Sequence, residues 1–429
     1  MFRSFSYSYL SDNKLIEKIQ NRRTTWEQPL RGDIKKDDST NKYITTWKYP
    51  RVWEVVLYEM FRSRLFSPVR FYSTTRPLDI LFFGSDTFSI HSYKALKQIS
   101  SQQPNLISKL QLVTRPPKWC GRKKSILKKP AILEYSESQH SNEQPLLCDT
   151  RQDMLDTLTP WLTASKNSMM IAVSYGKLIP KELITTANYS LNVHPSLLPR
   201  YKGSAPIQHT LLNQDLTTGV SIQTLDPNKF DNGEIIAQTP EIDVQQLLQT
   251  QNVERTPGFM TRIMIDQLGI IGAELLSDVI QSQSYVNHKP LPNLYKPSWA
   301  TTIKTNDKQI LWFKHTADYI AKMIGILGPV FTFKKTQLGK VHRSTDSFTE
   351  KRVLLHDATP IKRPSQVLEP GQFQFDPIAN VIRVGCSENT QLEITRLQFE
   401  ACAIETSDEF MRKLKKRCGP KAAELTTFN

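Results

Sequence analysis

Apolar positions along the chain fall into two regimes. Up to residue 77 they keep no persistent period. From Leu78 they gather into short runs that stop at a glycine or a histidine. Leu78–Phe83 ends at Gly84, Met169–Tyr175 at Gly176 and Tyr189–Val193 at His194, and Leu110–Val113 forms a further run. Stretches of helical spacing lie between them: Phe88–Ile99 after the first run, and Met154–Ala164 before the third. Short apolar strands alternating with helices predict an α/β fold with a doubly wound, mostly parallel, Rossmann-like sheet. Ligands bind such sheets beyond the carboxyl ends of the strands, where Gly84, Gly176 and His194 fall.

The pattern changes twice more. Between Thr256 and Gln283, Phe259, Ile263, Leu268, Ile271, Leu275, Leu276 and Val279 recur at helical spacing and predict one or two amphipathic helices. Residues 286–303 carry Pro290, Pro292 and Pro297 and read as a linker. From 304 onward a helix over Ala317–Ile326 precedes short β-like runs at Val330–Phe333, Arg352–Leu355, Val381–Val384 and Leu392–Ile394. Those runs predict a smaller C-terminal β-barrel resembling an OB-fold.

Composition narrows the function. The 429 residues suffice for two or three domains, and the formal charge of +15 favours a polyanionic partner. No apolar run reaches the roughly eighteen residues of a membrane span. Five cysteines without C-x-x-C spacing suggest neither a disulfide framework nor a zinc site. The N-terminal extension, residues 1–77, contains an acid-free segment, residues 60–76, with four arginines and several serines. That is the composition of a mitochondrial transit peptide, with a cleavage-like site at Arg70–Ser73. Residues 1–59 precede it, an unusual position for a leader.

Chemistry concentrates in residues 191–207, Leu-Asn-Val-His-Pro-Ser-Leu-Leu-Pro-Arg-Tyr-Lys-Gly-Ser-Ala-Pro-Ile. Asn192 and His194 are two positions apart, so on a strand both face the same side. An amide can stabilise a developing oxyanion and an imidazole can move a proton near neutral pH, a pairing suited to acyl transfer. Downstream of the apolar run Gly219–Leu225, the turn Phe230-Asp231-Asn232-Gly233 supplies a carboxylate. Beside the imidazole it would orient the ring and favour its cation. Taken singly, a strand histidine is more often structural, and Asp-Asn-Gly is usually only a turn. The segment Arg115–Lys129 holds seven basic residues and no acidic one, and it follows a strand near the expected site. A charge run is commonly a solvated face. At a strand's carboxyl end, contact with phosphates is the better reading.

The run S-L-L-P-R-Y-K-G-S-A-P-I, preceded by N-V-H-P and followed by T-G-V-S-I-Q and F-D-N-G-E-I-I, resembles the signature of the folate-dependent formyltransferases. The resemblance is greatest to the mitochondrial branch that formylates methionyl-tRNA, and it covers about residues 78–415. It implies a catalytic domain over 78–285, a tRNA-binding barrel over 304–429, and activity as a monomer in the mitochondrial matrix. It implies that Asn192, His194 and Asp231 are catalytic, although Pro227–Phe230 is slightly longer than in bacterial members. The folate-contacting segments correspond to Tyr175, Gly176, Leu178, Ile179 and Pro180 and to Ser196, Leu197, Leu198 and Pro199. The initiator methionyl-tRNA would meet Arg115, Lys118, Arg122, Lys123, Lys124, Lys128, Lys129 and Arg200. 10-Formyltetrahydrofolate would be the co-substrate, with no metal.

Competing readings remain. A transformylase acting on glycinamide ribonucleotide shares His-Pro-Ser-Leu-Leu-Pro, but Arg200, the Ala205-Pro206-Ile207 ending, the basic loop and the extra domain favour tRNA. A non-catalytic mitochondrial RNA-binding factor would not need the complete Asn, His and Asp set. A nicotinamide dehydrogenase is disfavoured, because Gly84-Ser-Asp-Thr-Phe88 has one glycine where the dinucleotide fingerprint needs three.

Overall fold

The computed structural model describes residues 33–37, 42–46, 76–139, 143–249, 254–337, 348–361, 364 and 366–429. The chain divides into two units, Met1–Thr74 and Thr75–Asn429. In the first unit, Asp33–Asp37 and Lys42–Thr46 pair antiparallel. Residues 60–75, the bulk of the targeting segment, lie outside the described residues.

The second unit opens with β1 (Leu78–Gly84), α1 (Thr87–Gln102) and β2 (Ile107–Thr114). A hairpin follows, β3 (Lys118–Cys120) and β4 (Ile126–Lys128), then α2 (Ala131–Ser138), β5 (Leu146–Leu147) and α3 (Arg151–Ala164). Next come β6 (Ser168–Val173), α4 (Lys181–Thr186), β7 (Tyr189–His194) and α5 (Pro206–Leu212). β8 (Ser221–Thr224), β9 (Ile235–Gln238) and α6 (Phe259–Ser282) complete the lobe. Caps set the helix starts: the Asp86 carboxylate accepts from the Ser89 amide at the start of α1, and Thr150 with Asp153 forms a capping box on α3.

The sheet order is β9-β8-β7-β6-β1-β2-β5. Strands β5 to β7 of that order run parallel, and β8 and β9 add an antiparallel edge. Because side chains alternate along a strand, the sheet separates two cores. Ile80, Phe82, Met169 and Ile171 pack on one face beneath α1 and α6; Leu81, Phe83, Met170 and Ala172 pack on the other beneath α3 and α4. Burial on both faces explains why these strands read as continuous apolar runs. α6 is one helix of 24 residues, which settles the one-or-two ambiguity of its pattern.

The C-terminal lobe comprises α7 (Ala317–Leu327), β10 (Val330–Gln337), β11 (Phe348–Ile361), β12 (Phe373–Asp376), β13 (Val381–Gly385), β14 (Gln391–Phe399), β15 (Ile404–Thr406), α8 (Ser407–Cys418) and α9 (Pro420–Glu424). Its sheet is antiparallel in the order β10-β11-β14-β13-β12, with β15 on β14. The final residues close it. Asn429 exchanges backbone bonds with Phe333 of β10, while Thr426 and Phe428 bond to Phe373 and Gly371 at β12. The lobes share one core, and α7 is tied to the catalytic lobe where Thr261 Oγ1 donates to the Ile326 carbonyl at 2.8 Å.

The stretch expected to be a linker is held down. Ser298 N donates to Pro199 O, Lys202 N to Ser298 O, and Ala300 N to Lys202 O. It therefore lies extended against residues 199–205 of the parallel-sheet lobe, with Trp299 bridged to Lys202.

Candidate active site

A cavity of about 890 Å³ opens beyond the carboxyl ends of β6 and β7. It reaches both faces of the sheet. Leu178, Ile179, Ile184 and Leu225 form a wall continuous with the core beneath α3 and α4. Phe88, Val193 and Ile207 form a second wall continuous with the core beneath α1 and α6. Asn192, His194 and Asp231 stand between them.

Register brings the three together. Asn192 and His194 pair with Gln223 and Ser221 across the antiparallel β7–β8 ladder. The turn after β8 then returns Asp231 over that strand end. Asp231 has a positive φ of 48°, and two residues later a Cβ at Gly233 would meet the Thr224 carbonyl at 1.7 Å, so only glycine fits there. Asp231 Oδ1 accepts from Gln223 Nε2 at 2.9 Å and from Asn192 Nδ2 at 3.3 Å. Its Oδ2 accepts from the Gly203 amide at 2.8 Å. Three donors of this kind hold the carboxylate in one orientation.

His194 is nearly enclosed, with 7% of its side chain exposed. Nε2 lies 2.9 Å from the Tyr201 carbonyl, which can only accept, so Nε2 carries the proton. Nδ1 therefore faces the cavity, 3.5 Å from Asp231 Oδ1. That separation exceeds a full hydrogen bond and leaves Nδ1 available to a reactant. One N–H of the Asn192 amide meets Asp231 and the second remains for a developing oxyanion.

Gln223 and the Gly203 amide escaped the sequence reading. T-G-V-S-I-Q was noted only as part of the signature; pairing β8 beside β7 is what sets Gln223 opposite Asn192. Asp86 also lines the cavity; burial pushes its carboxyl above the usual range, against hydrogen bonds from Ser89 and Ser174.

The other expected residues divide. Tyr175, Gly176, Leu178 and Ile179 line the cavity. The Tyr175 hydroxyl is turned away, donating to the Cys148 carbonyl at 2.8 Å, and burial raises its pKa. Pro180 is buried at the start of α4. Ser196, Leu197, Leu198 and Pro199 are buried and are not among the residues lining this cavity. Leu197 and Leu198 pack inward, the Ser196 hydroxyl donates to Arg200 O at 2.7 Å, and the Leu198 amide donates to Ser221 Oγ at 2.9 Å. These residues form the bed beneath the site. Arg200 is likewise engaged away from the wall, paired with Asp215 at 2.7 Å.

The basic segment forms the β3–β4 hairpin. Lys123, Lys124 and Lys128 are exposed, as are Trp119, Ile126 and Leu127, and Arg122 sits in the same turn. Lys129 pairs with Glu137 at 2.7 Å. Arg115 Nε donates to Ser85 Oγ at 3.2 Å, at the base of the hairpin. Lys118 and the cavity residue Lys177 meet the same carboxylate, Asp149, each at 3.0 Å, and hold its pKa below the usual range. The hairpin is thereby tied to the cavity rim. No cluster of His, Cys, Asp or Glu suited to a metal occurs among the described residues, and none of their helices is long and apolar enough to cross a membrane.

Residues 78–256 match the formyl transferase family model. The mitochondrial methionyl-tRNA formyltransferase of Saccharomyces cerevisiae is 39% identical over 401 residues, 85% of this chain and 99% of that protein. The mitochondrial methionyl-tRNA formyltransferase of Homo sapiens is 25% identical over 316 residues, 73% of this chain and 72% of that one. Among solved structures, HypX from Aquifex aeolicus in complex with tetrahydrofolic acid aligns at a TM-score of 0.47 and 12% identity, over 79% of this chain and 47% of that one. A family model on the parallel-sheet lobe, together with near-full coverage of a relative at 39% identity, places this chain in the methionyl-tRNA formyltransferase family.

Proposed function

We propose that this chain transfers the formyl group of 10-formyltetrahydrofolate to the α-amino group of initiator methionyl-tRNA, acting as a monomer in the mitochondrial matrix. The observation that carries the reading is the convergence of Asn192, His194 and Asp231 in one cavity between two apolar walls, in a chain with the relatives above. The folate is a co-substrate, and the protein supplies placement and electrostatics.

In the reaction the amine lone pair attacks the formyl carbon, and the carbonyl π electrons move onto oxygen. Asn192 donates to that oxygen, and the His194 imidazole, with Nδ1 open to the cavity, carries the proton between amine and leaving nitrogen. Asp231, held by Gln223 and Gly203, keeps the ring oriented. The amine loses a proton, N10 of the folate gains one, and the carbon–N10 bond breaks. The wall of Tyr175, Gly176, Leu178 and Ile179 is the proposed folate side, and the β3–β4 hairpin, with Arg115, Lys118, Arg122, Lys123, Lys124, Lys128 and Lys129, is the proposed tRNA side. Arg200, already paired, is assigned to holding the bed of the site.

Labelled 10-formyltetrahydrofolate offered with charged initiator tRNA, uncharged initiator tRNA or glycinamide ribonucleotide tests the proposal. Label is expected on the charged tRNA alone; transfer to the ribonucleotide instead would overturn the reading.

A further inference from the structure

The rim of the cavity carries an aromatic side chain that the reaction does not use. Trp299 lines the opening and is 65% exposed. Its backbone is not mobile. The bonds between 298–300 and 199–205 hold it in register with Lys202, one residue from the Gly203 amide that supports Asp231. A large indole kept in water on a pinned strand exposes apolar surface at a cost, unless something covers it.

The surroundings say what kind of group. Lys202 and Lys304 share the rim with Trp299. Lys304 also lines a second groove of about 410 Å³, with Lys308, Phe331 and Arg352. The Arg352 guanidinium lies over the Phe331 ring at 4.9 Å, Lys308 Nζ donates to the Leu327 carbonyl, and the Arg352 backbone amide donates to Glu400. The residues lining this groove include three cations and no carboxylate. An aromatic face at the head of a cationic track is the arrangement that holds single-stranded nucleic acid, bases stacked and phosphates neutralised.

We infer that Trp299 is the platform for the terminal base of the acceptor's 3′ end, and that Lys304, Lys308 and Arg352 hold the phosphates that precede it. This rests on the formyl-transfer reading, which puts the reacting amine one ester linkage from a terminal ribose. With the amine beside His194, that nucleoside stands at the mouth. Phe230 is also exposed at the rim but does not line the cationic groove.

Steady-state kinetics of the full chain, at several salt concentrations, test the inference. Trp299→Ala is expected to raise KM for charged initiator tRNA about tenfold, leave KM for 10-formyltetrahydrofolate unchanged, and leave the salt slope unchanged, because stacking releases no counterions. Trp299→Tyr should restore most of the affinity and Trp299→Leu should not, which separates stacking from mere apolar cover. Lys304→Ala combined with Arg352→Ala should flatten the salt slope. The inference falls if Trp299→Ala raises the folate KM instead, if Leu rescues as well as Tyr, or if tRNA kinetics do not move. A wild-type protein that formylates no charged tRNA would instead sink the functional reading on which it rests.

Discussion

Charged groups are withdrawn from water in both lobes, with opposite outcomes. In the catalytic lobe, His194 and Asp231 keep 7% and 10% of their side chains exposed, a cavity adjoins them, and Nδ1 of the imidazole and one amide N–H of Asn192 face it. In the C-terminal lobe, Lys334 is fully buried and donates to the Ala422 and Leu425 carbonyls, both at 2.7 Å. Glu405, with 4% of its side chain exposed, is gripped by Arg417 and by Lys413, the latter at 3.0 Å. These barrel groups spend their hydrogen bonds within the lobe, tying α8 and α9 to the strands. Burial of charge therefore does not mark chemistry by itself. Unfilled hydrogen-bonding capacity beside open space does.

Substitutions should separate the two lobes. The largest effect is expected at the site: Asn192→Ala should lower kcat about a hundredfold or more while leaving folate binding and the melting temperature nearly unchanged. His194→Ala and Asp231→Ala should be comparably severe, and double variants no worse than the worst single one. Additive losses would show that the three do not work as a unit.

Glu405→Ala should do the reverse. Leaving Arg417 and Lys413 unmatched is expected to cost about 3 kcal/mol in urea unfolding, with kcat of the folded fraction retained. A variant that melts normally but is inactive would remove the distinction drawn above. The pH dependence sharpens it. Burial alone would raise the Glu405 carboxyl, but Arg417 and Lys413 outweigh it and hold the pKa below the ordinary 4.5. Its contribution to stability is thus complete above about 4.5 and lost as pH falls through the lower folded-state value. Acid titration of the melting temperature should show a steeper fall for wild type than for Glu405→Gln.

The smallest effect belongs to the hairpin. Replacing Arg122, Lys123 and Lys124 by alanine should raise KM for charged tRNA several-fold and flatten its salt dependence, without moving the folate KM. Loss of folate affinity alone would assign the hairpin to the wrong substrate.

Local rules made the parallel strands, α1, α3, α6 and α7 legible, because strands buried on both faces and helices with one apolar stripe write themselves into the order of residues. Asn192 and His194 were legible by their spacing. Gln223 was not, since its role follows from β8 lying antiparallel beside β7, a pairing that no local pattern specifies. The burial of Ser196–Pro199 was not legible for a related reason: membership of a contiguous signature does not say which of its residues turn inward. β11 was underestimated, because along Phe348–Ile361 only Val353 and Leu355 are buried. The hairpin looked like loop because none of its six strand residues is buried.

The bond register between 298–300 and 199–205 also bears on modularity. The prolines suggest a seam before residue 304, yet the backbone that fixes the Gly203 amide under Asp231 lies partly on the far side of them. A fragment ending at 285 would keep Asn192, His194 and Asp231 but lose the strand that braces them. In any exchange of C-terminal lobes between relatives, residues 298–300 must travel with the parallel-sheet lobe, because there they clamp the loop that carries the Gly203 amide.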